Sequence, residues 1–191
     1  MLMEASLPPF DNSNENRTNR PGSTRLFVVM GVAGCGKSSV GEALAARMGG
    51  TFLDGDDLHP ATNIDKMSRG EPLDDEDRAP WLARIAEAMA GSSGVVFAGC
   101  SALKRRYRDI LRQGAGEPMC FVHLAGSREL IASRMAARSG HFMPASLLDS
   151  QFSALESPSP DEDHITVDVS GGRDEVVAAI LDDLDSRQKA N

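Results

Sequence analysis

From Arg25 onward the chain alternates short apolar runs with helix-period patterns. Residues 26–30 (LFVVM) are continuous, apolar and β-branched, which predicts a buried strand. A glycine-rich turn follows, and then Val40, Leu44 and Met48 recur every fourth residue as one helix face. Residues 51–54 (TFLD) predict a second strand, and 94–99 (GVVFAG), 119–124 (MCFVHL) and 165–169 (ITVDV) predict three more. Helices are expected over 61–69, 80–90, about 102–112, about 128–138, about 144–155 and 173–187. In the second of these, Leu82, Ile85 and Met89 share a face that Trp81 extends, and Pro60 and Pro80 suit first-turn positions. In the last, Val176, Val177, Ile180, Leu181 and Leu184 form the buried stripe. Residues 1–24, rich in Asn, Ser, Pro and charge, carry no period and predict a disordered tail ahead of one domain over 25–191.

Strands that are apolar on both faces and alternate with helices predict an α/β fold, a five-stranded parallel sheet flanked by helices. Right-handed crossovers bring every strand's C-terminal end to one edge, where ligands bind. That edge is expected to carry 31–38, 54–57 and 99–104, three polar segments at three strand ends.

The first of them, GVAGCGKS, matches G-x-x-x-x-G-K-[ST] in full, directly after a strand and before a helix. This is the phosphate-binding loop of the P-loop NTPase fold. Gly31, Gly34 and Gly36 let successive N–H groups face an anion, and Val32, Ala33, Cys35 and Ser39 are needed there only through their backbone. Lys37 is placed to reach the β- and γ-phosphates of ATP, and the Ser38 hydroxyl to ligate Mg²⁺. The loop implies nucleotide binding but no particular reaction.

In FLDGDDLHP (52–60), Asp54 and Asp56 are two apart and would project the same way from an extended segment. One can hold a hydrated Mg²⁺ and the other orient or deprotonate an attacking hydroxyl; Asp57 reads as a helix cap. Lys104, in the first turn after a strand end, is a candidate substrate contact, and Arg108 lies one turn further on the same face. Arg105 and Arg106 read as surface charge, and Arg78 as either a substrate contact or a partner of Asp74 or Asp77. Arg134 and Arg138 share a helix face before Gly140, an arrangement suited to a lid (about 134–158) that delivers arginines to phosphates. His59 and His141 are candidate ligand contacts or structural histidines.

A net charge of −8 over 191 residues argues against a nucleic-acid binder, while a kinase needs only a local basic pocket. No apolar run is long enough to cross a membrane, and no secretory signal is apparent. Three widely spaced cysteines without metal-ligand pairing suit free thiols in a reducing cytoplasm.

The segments MGVAGCGKSSV (30–40), FLDGDDLHPATNIDKMSRGEPLDDEDRAPWL (52–82), CSALKRRYRDILR (100–112) and RSGHFM…QF…LESP (138–158) together resemble the gluconokinase family, which is related to shikimate and adenylate kinases. The resemblance covers nearly all of the folded part, and 52–82 is its most particular segment. It implies ATP- and Mg²⁺-dependent transfer to the terminal hydroxyl of D-gluconate, giving 6-phospho-D-gluconate, with Lys37, Asp56, Arg134 and Arg138 in the chemistry. Similarity to shikimate kinase suggests Asp54 on the Mg²⁺ side and Asp56 on the substrate hydroxyl. Relatives often form homodimers. Cys35 stands where serine is more usual, and Gly171–Gly172 where relatives often place a proline beside adenine. The alternatives are a kinase for another hydroxy-acid or nucleotide, and a nucleotide-binding regulatory module without transfer.

Overall fold

The computed structural model describes residues 25–137 and 145–190. The tail over 1–24 lies outside the described residues. Five strands form one parallel sheet: β1 (Leu26–Met30), β2 (Thr51–Asp54), β3 (Val96–Gly99), β4 (Met119–Ala125) and β5 (His164–Asp168), in the spatial order β2-β3-β1-β4-β5. Among the described residues seven helices accompany it: α1 (Lys37–Met48), α2 (Ala61–Ser68), α3 (Asp75–Gly91), α4 (Arg105–Ala115), α5 (Arg128–Ala136), α6 (Ala145–Ala154) and α7 (Arg173–Ala190). A 3-10 turn covers Gly55–Leu58.

Period-two alternation divides the strands between two cores. Phe27, Val29, Phe97, Val122 and Leu124 face one side, where they meet Val40 and Leu44 of α1 and Val176, Val177 and Ile180 of α7. Phe27 and Phe97 stack there with centroids 4.9 Å apart. Leu26, Val28, Met30, Val96, Ala98 and Phe121 face the other side, against Leu82, Ile85 and Met89 of α3 and Leu111 of α4. Each of those three α3 side chains is fully buried and contributes about 2 kcal/mol by leaving water. With helices on both faces, only the strand ends remain to carry ligands.

Two helix starts differ from the sequence expectation by three residues or more. α3 begins at Asp75 rather than 80, because Asp74 and Asp77 close a reciprocal capping box that supplies the helix start. Pro80 therefore lies inside the helix, beyond its first turn. α4 begins at Arg105, which leaves Lys104 as the residue flanking its N-terminus.

Candidate functional site

The loop between β1 and α1 is held open by backbone that only glycine adopts easily. Gly34 has φ +83°, and a Cβ there would stand 2.6 Å from Met135 Cγ of α5. Gly36, at φ +101°, turns the chain into α1. Lys37 curls back so that its Nζ donates to the carbonyls of Gly31 at 3.2 Å and Val32 at 3.1 Å. Its ammonium thus sits along the crest of the loop. Cys35 is buried, and burial pushes its thiol pKa up despite the opposing fields of Lys37 and Arg134. It stays a neutral packing group.

β2 delivers the first carboxylate. Asp54 Oδ2 accepts from Ser38 Oγ at 3.1 Å, and its Oδ1 accepts from the Asp56 N–H at 3.1 Å. The second contact starts the 3-10 turn, so Asp54 and Asp56 do not project together from an extended strand as their spacing suggested. Asp56 is exposed at the turn, one residue past the buried Gly55. Neither Asp56 nor Asp57 caps α2, which Pro60 precedes without a side-chain cap.

Behind the turn, Trp81 Nε1 donates to the Gly55 carbonyl at 2.6 Å. His59 stacks on the Trp81 ring at 4.2 Å between centroids. Burial lowers the His59 pKa; Asp56 pulls it up and Arg78 pushes it down, each less than burial does. The imidazole is neutral near pH 7 and close to both charges.

A basic cluster surrounds Tyr107 of α4. Arg78 Cζ, Lys104 Nζ and Arg106 Cζ lie 5.7, 5.5 and 5.6 Å from its ring centroid. Asp75 answers part of that charge, accepting from Lys104 Nζ at 3.1 Å and from the Tyr107 hydroxyl, and pairing with Arg106. Arg78 donates to the Leu73 and Asp74 carbonyls, while Asp77 pairs with Lys66 instead. Asp75 thus pairs with Lys104 and Arg106, and Arg78 forms no ion pair among the described residues.

Arg108 does not belong to this cluster, which corrects its reading as a substrate contact. It is 1% exposed and forms a two-pronged pair with Glu162 at 2.7 and 2.8 Å. Its remaining donor meets the carbonyls of Ala102 and Glu156 at 3.1 and 3.0 Å. Ala102 has φ +42°, an unusual value for a residue with a Cβ, so Arg108 holds the bend on which Lys104 is mounted. Arg105 pairs with Asp161 at the surface, as expected. Arg106, read as surface charge, stands within the Tyr107 cluster.

Arg134 of α5 donates to the Gly171 carbonyl at 3.1 Å, ahead of α7. Arg138, His141 and the Gly140 turn lie outside the described residues. Sequence reasoning assigned no part to Asp75, Tyr107 or Gln151. Tyr107 sits three residues after Lys104, so the helical period carried a signal for it. Asp75 is joined to Lys104 only through the fold.

Residues 26–158 match the AAA_33 family, described as an AAA domain. The thermosensitive gluconokinase of Escherichia coli K12 is 51% identical over 148 residues, covering 75% of this chain and 79% of that protein. The gluconokinase of Gluconobacter oxydans 621H is 49% identical over 157 residues, covering 80% and 87%. The crystal structure of a gluconokinase from Sinorhizobium meliloti 1021 superposes with a TM-score of 0.80 at 50% identity, covering 86% of this chain and 94% of that one. Shikimate kinase from Aquifex aeolicus, at 16% identity and a TM-score of 0.56, shares the fold.

Proposed function

The chain belongs to the gluconokinase family, and from that membership we infer that it transfers the γ-phosphoryl group of ATP to the 6-hydroxyl of D-gluconate, giving 6-phospho-D-gluconate and ADP. The observation that carries this reading is the gathering of the phosphate loop, the Asp54–Asp56 turn and the Tyr107 basic cluster near one edge of the sheet.

The backbone amides of Gly34 and of 36–39 and the Lys37 ammonium would bind the polyphosphate, while those of Gly31, Ala33 and Cys35 are engaged within the protein. Fixed N–H dipoles need no reorganisation when charge develops on the transferred group. Ser38 and Asp54 fit a hard divalent cation: two oxygens already 3.1 Å apart suit Mg²⁺, which keeps most of its waters and takes few protein ligands. When bound, the ion would screen the phosphate charges.

Asp56 would receive or orient the proton of the 6-hydroxyl as its oxygen forms the new bond to phosphorus and ADP departs. The gluconate carboxylate would settle among Arg78, Lys104 and Arg106, where Asp75 leaves positive charge uncompensated. His59, neutral and stacked, would accept or donate one hydrogen bond to the polyol. Arg134, whose guanidinium donates to the Gly171 carbonyl ahead of α7, would serve the phosphate side. The pair α5–α6, anchored in the core by Ile131 and Leu148, would flank the nucleotide and exclude water from the reacting phosphorus.

No described helix is long and apolar enough to cross a membrane. Cys35, Cys100 and Cys120 are free and buried, and this suits a reducing cytoplasm. An ADP-release assay over gluconate, shikimate and nucleoside monophosphates tests the reading. Release that depends on gluconate and not on the others supports it, and release indifferent to the acceptor refutes it.

A further inference from the structure

A glutamine of α6 bonds the same peptide unit that Lys37 bonds. The peptide unit between Val32 and Ala33 is engaged on both sides. Its carbonyl accepts from Lys37 Nζ at 3.1 Å and from the Cys35 N–H at 3.3 Å. Its N–H donates to Gln151 Oε1 of α6 at 2.7 Å. Because a peptide is planar and trans, its C=O and N–H point in opposite directions, and fixing one fixes the other. A glycine-rich loop has little other means of resisting rotation of that plane. Only an acceptor can meet the Ala33 N–H, so the chemistry also settles that the Gln151 oxygen, and not its nitrogen, faces the loop.

Gln151 is itself held firmly. One turn before it, Leu148 is 3% exposed in the same core as Val32, Cys35 and Ile131, and Phe152 packs beside that core. Arg128 of α5 pairs with Asp149 at 2.5 Å, joining the two helices. The glutamine therefore reaches the loop from a braced helix rather than from a mobile surface.

We propose that Gln151 is a positioning residue for phosphoryl transfer: by fixing the Val32–Ala33 peptide it keeps that carbonyl on Lys37, so that the ammonium is in place when ATP arrives. The proposal rests on the reading of 31–38 as the phosphate loop of a kinase. A lysine whose anchor can rotate would still bind nucleotide, but would spend less time aligned with the migrating phosphoryl group. The effect belongs to turnover and to ATP, not to gluconate.

The test compares the parent enzyme with Gln151→Leu, which has similar bulk and no acceptor, and Gln151→Glu, which retains one. In Gln151→Leu the Ala33 amide proton should move upfield and exchange with solvent about tenfold faster, and kcat should fall about tenfold, the scale of one lost positioning hydrogen bond. The KM for gluconate should stay within about twofold, and the melting temperature within about 2 °C. Gln151→Glu should keep the Ala33 amide protected. An unmoved Ala33 resonance in the leucine variant, or kcat and ATP KM both at parental values, would overturn the proposal. Should the leucine variant not fold, loss of Ala33 protection in the glutamate variant would overturn it equally. A parent without gluconate-dependent ADP release would instead count against the kinase reading itself, so the two failures are distinct.

Discussion

Ser38 Oγ donates to Asp54 Oδ2 across 3.1 Å, tying the first turn of α1 to the end of β2. Ser38 follows β1 through the phosphate loop and Asp54 ends β2, two strands that β3 separates in the sheet, so the contact spans the end of β3. The arrangement leaves two hard oxygens side by side next to the phosphate loop, with the Asp56 turn beginning from the same carboxylate.

Removing either oxygen should therefore weaken Mg²⁺ before anything else. Ser38→Ala and Asp54→Ala should raise the Mg²⁺ concentration for half-maximal turnover by about tenfold or more. Titrating activity with Mg²⁺ at fixed ATP checks this, and an unchanged titration would detach both residues from the metal.

Asp56 has a separable role. Asp56→Asn keeps the backbone N–H that starts the 3-10 turn, so the fold and ATP binding should persist. Turnover should fall about a hundredfold or more, the range for loss of a positioned acid–base group. Circular dichroism and ATP-analogue binding, measured beside kcat, separate chemistry from misfolding.

The Tyr107 cluster predicts a charge-specific loss. Arg78→Ala and Lys104→Ala should each raise the gluconate KM about tenfold, the scale of one charge-assisted hydrogen bond, and leave the ATP KM near its parental value. With a neutral polyol of equal length as acceptor, the difference between parent and variant should vanish. Comparing the two acceptors in one assay series measures the coupling directly.

Much of this site was legible locally, and the exceptions share a cause. The run 31–38 declares itself because its glycines, lysine and serine act through fixed offsets on one turn. The sheet was legible because LFVVM and MCFVHL have one sensible environment, apolar on both sides. Arg108 misled because its period places it below Lys104, while its partner Glu162 lies 54 residues away and only the fold brings them together. Asp54 and Asp56 were read by strand geometry, yet the backbone N–H of Asp56 found the Asp54 carboxylate first and curled the chain. Gln151 shows the same limit, since nothing in its neighbourhood of sequence points to Ala33.

The Arg108–Glu162 pair yields a stability prediction. Both side chains are 1% exposed, and Arg112 adds a third contact at 2.7 Å. Glu162→Ala should cost about 3–5 kcal/mol by leaving Arg108 buried without its carboxylate, read as a lower urea midpoint. The hydrogen bond from Arg108, with help from Arg112, holds the Glu162 pKa below the usual carboxylate range. A carboxyl depressed on folding stabilises fully above its unfolded pKa and loses that contribution as pH falls toward the folded one. The parent should therefore lose stability below the ordinary glutamate range, and Glu162→Ala should show a shallower acid dependence there.

Amides and Lys37 on one side, and Asp56 on the other, would bring a terminal phosphate against the 6-hydroxyl of gluconate. Phosphorus NMR of the reaction mixture tests it most directly. A single new phosphate monoester coupled to the C6 methylene protons is expected, formed in step with ADP and absent when Lys37 is replaced by Ala. An ester on a different carbon, or inorganic phosphate accumulating in place of any ester, would contradict it.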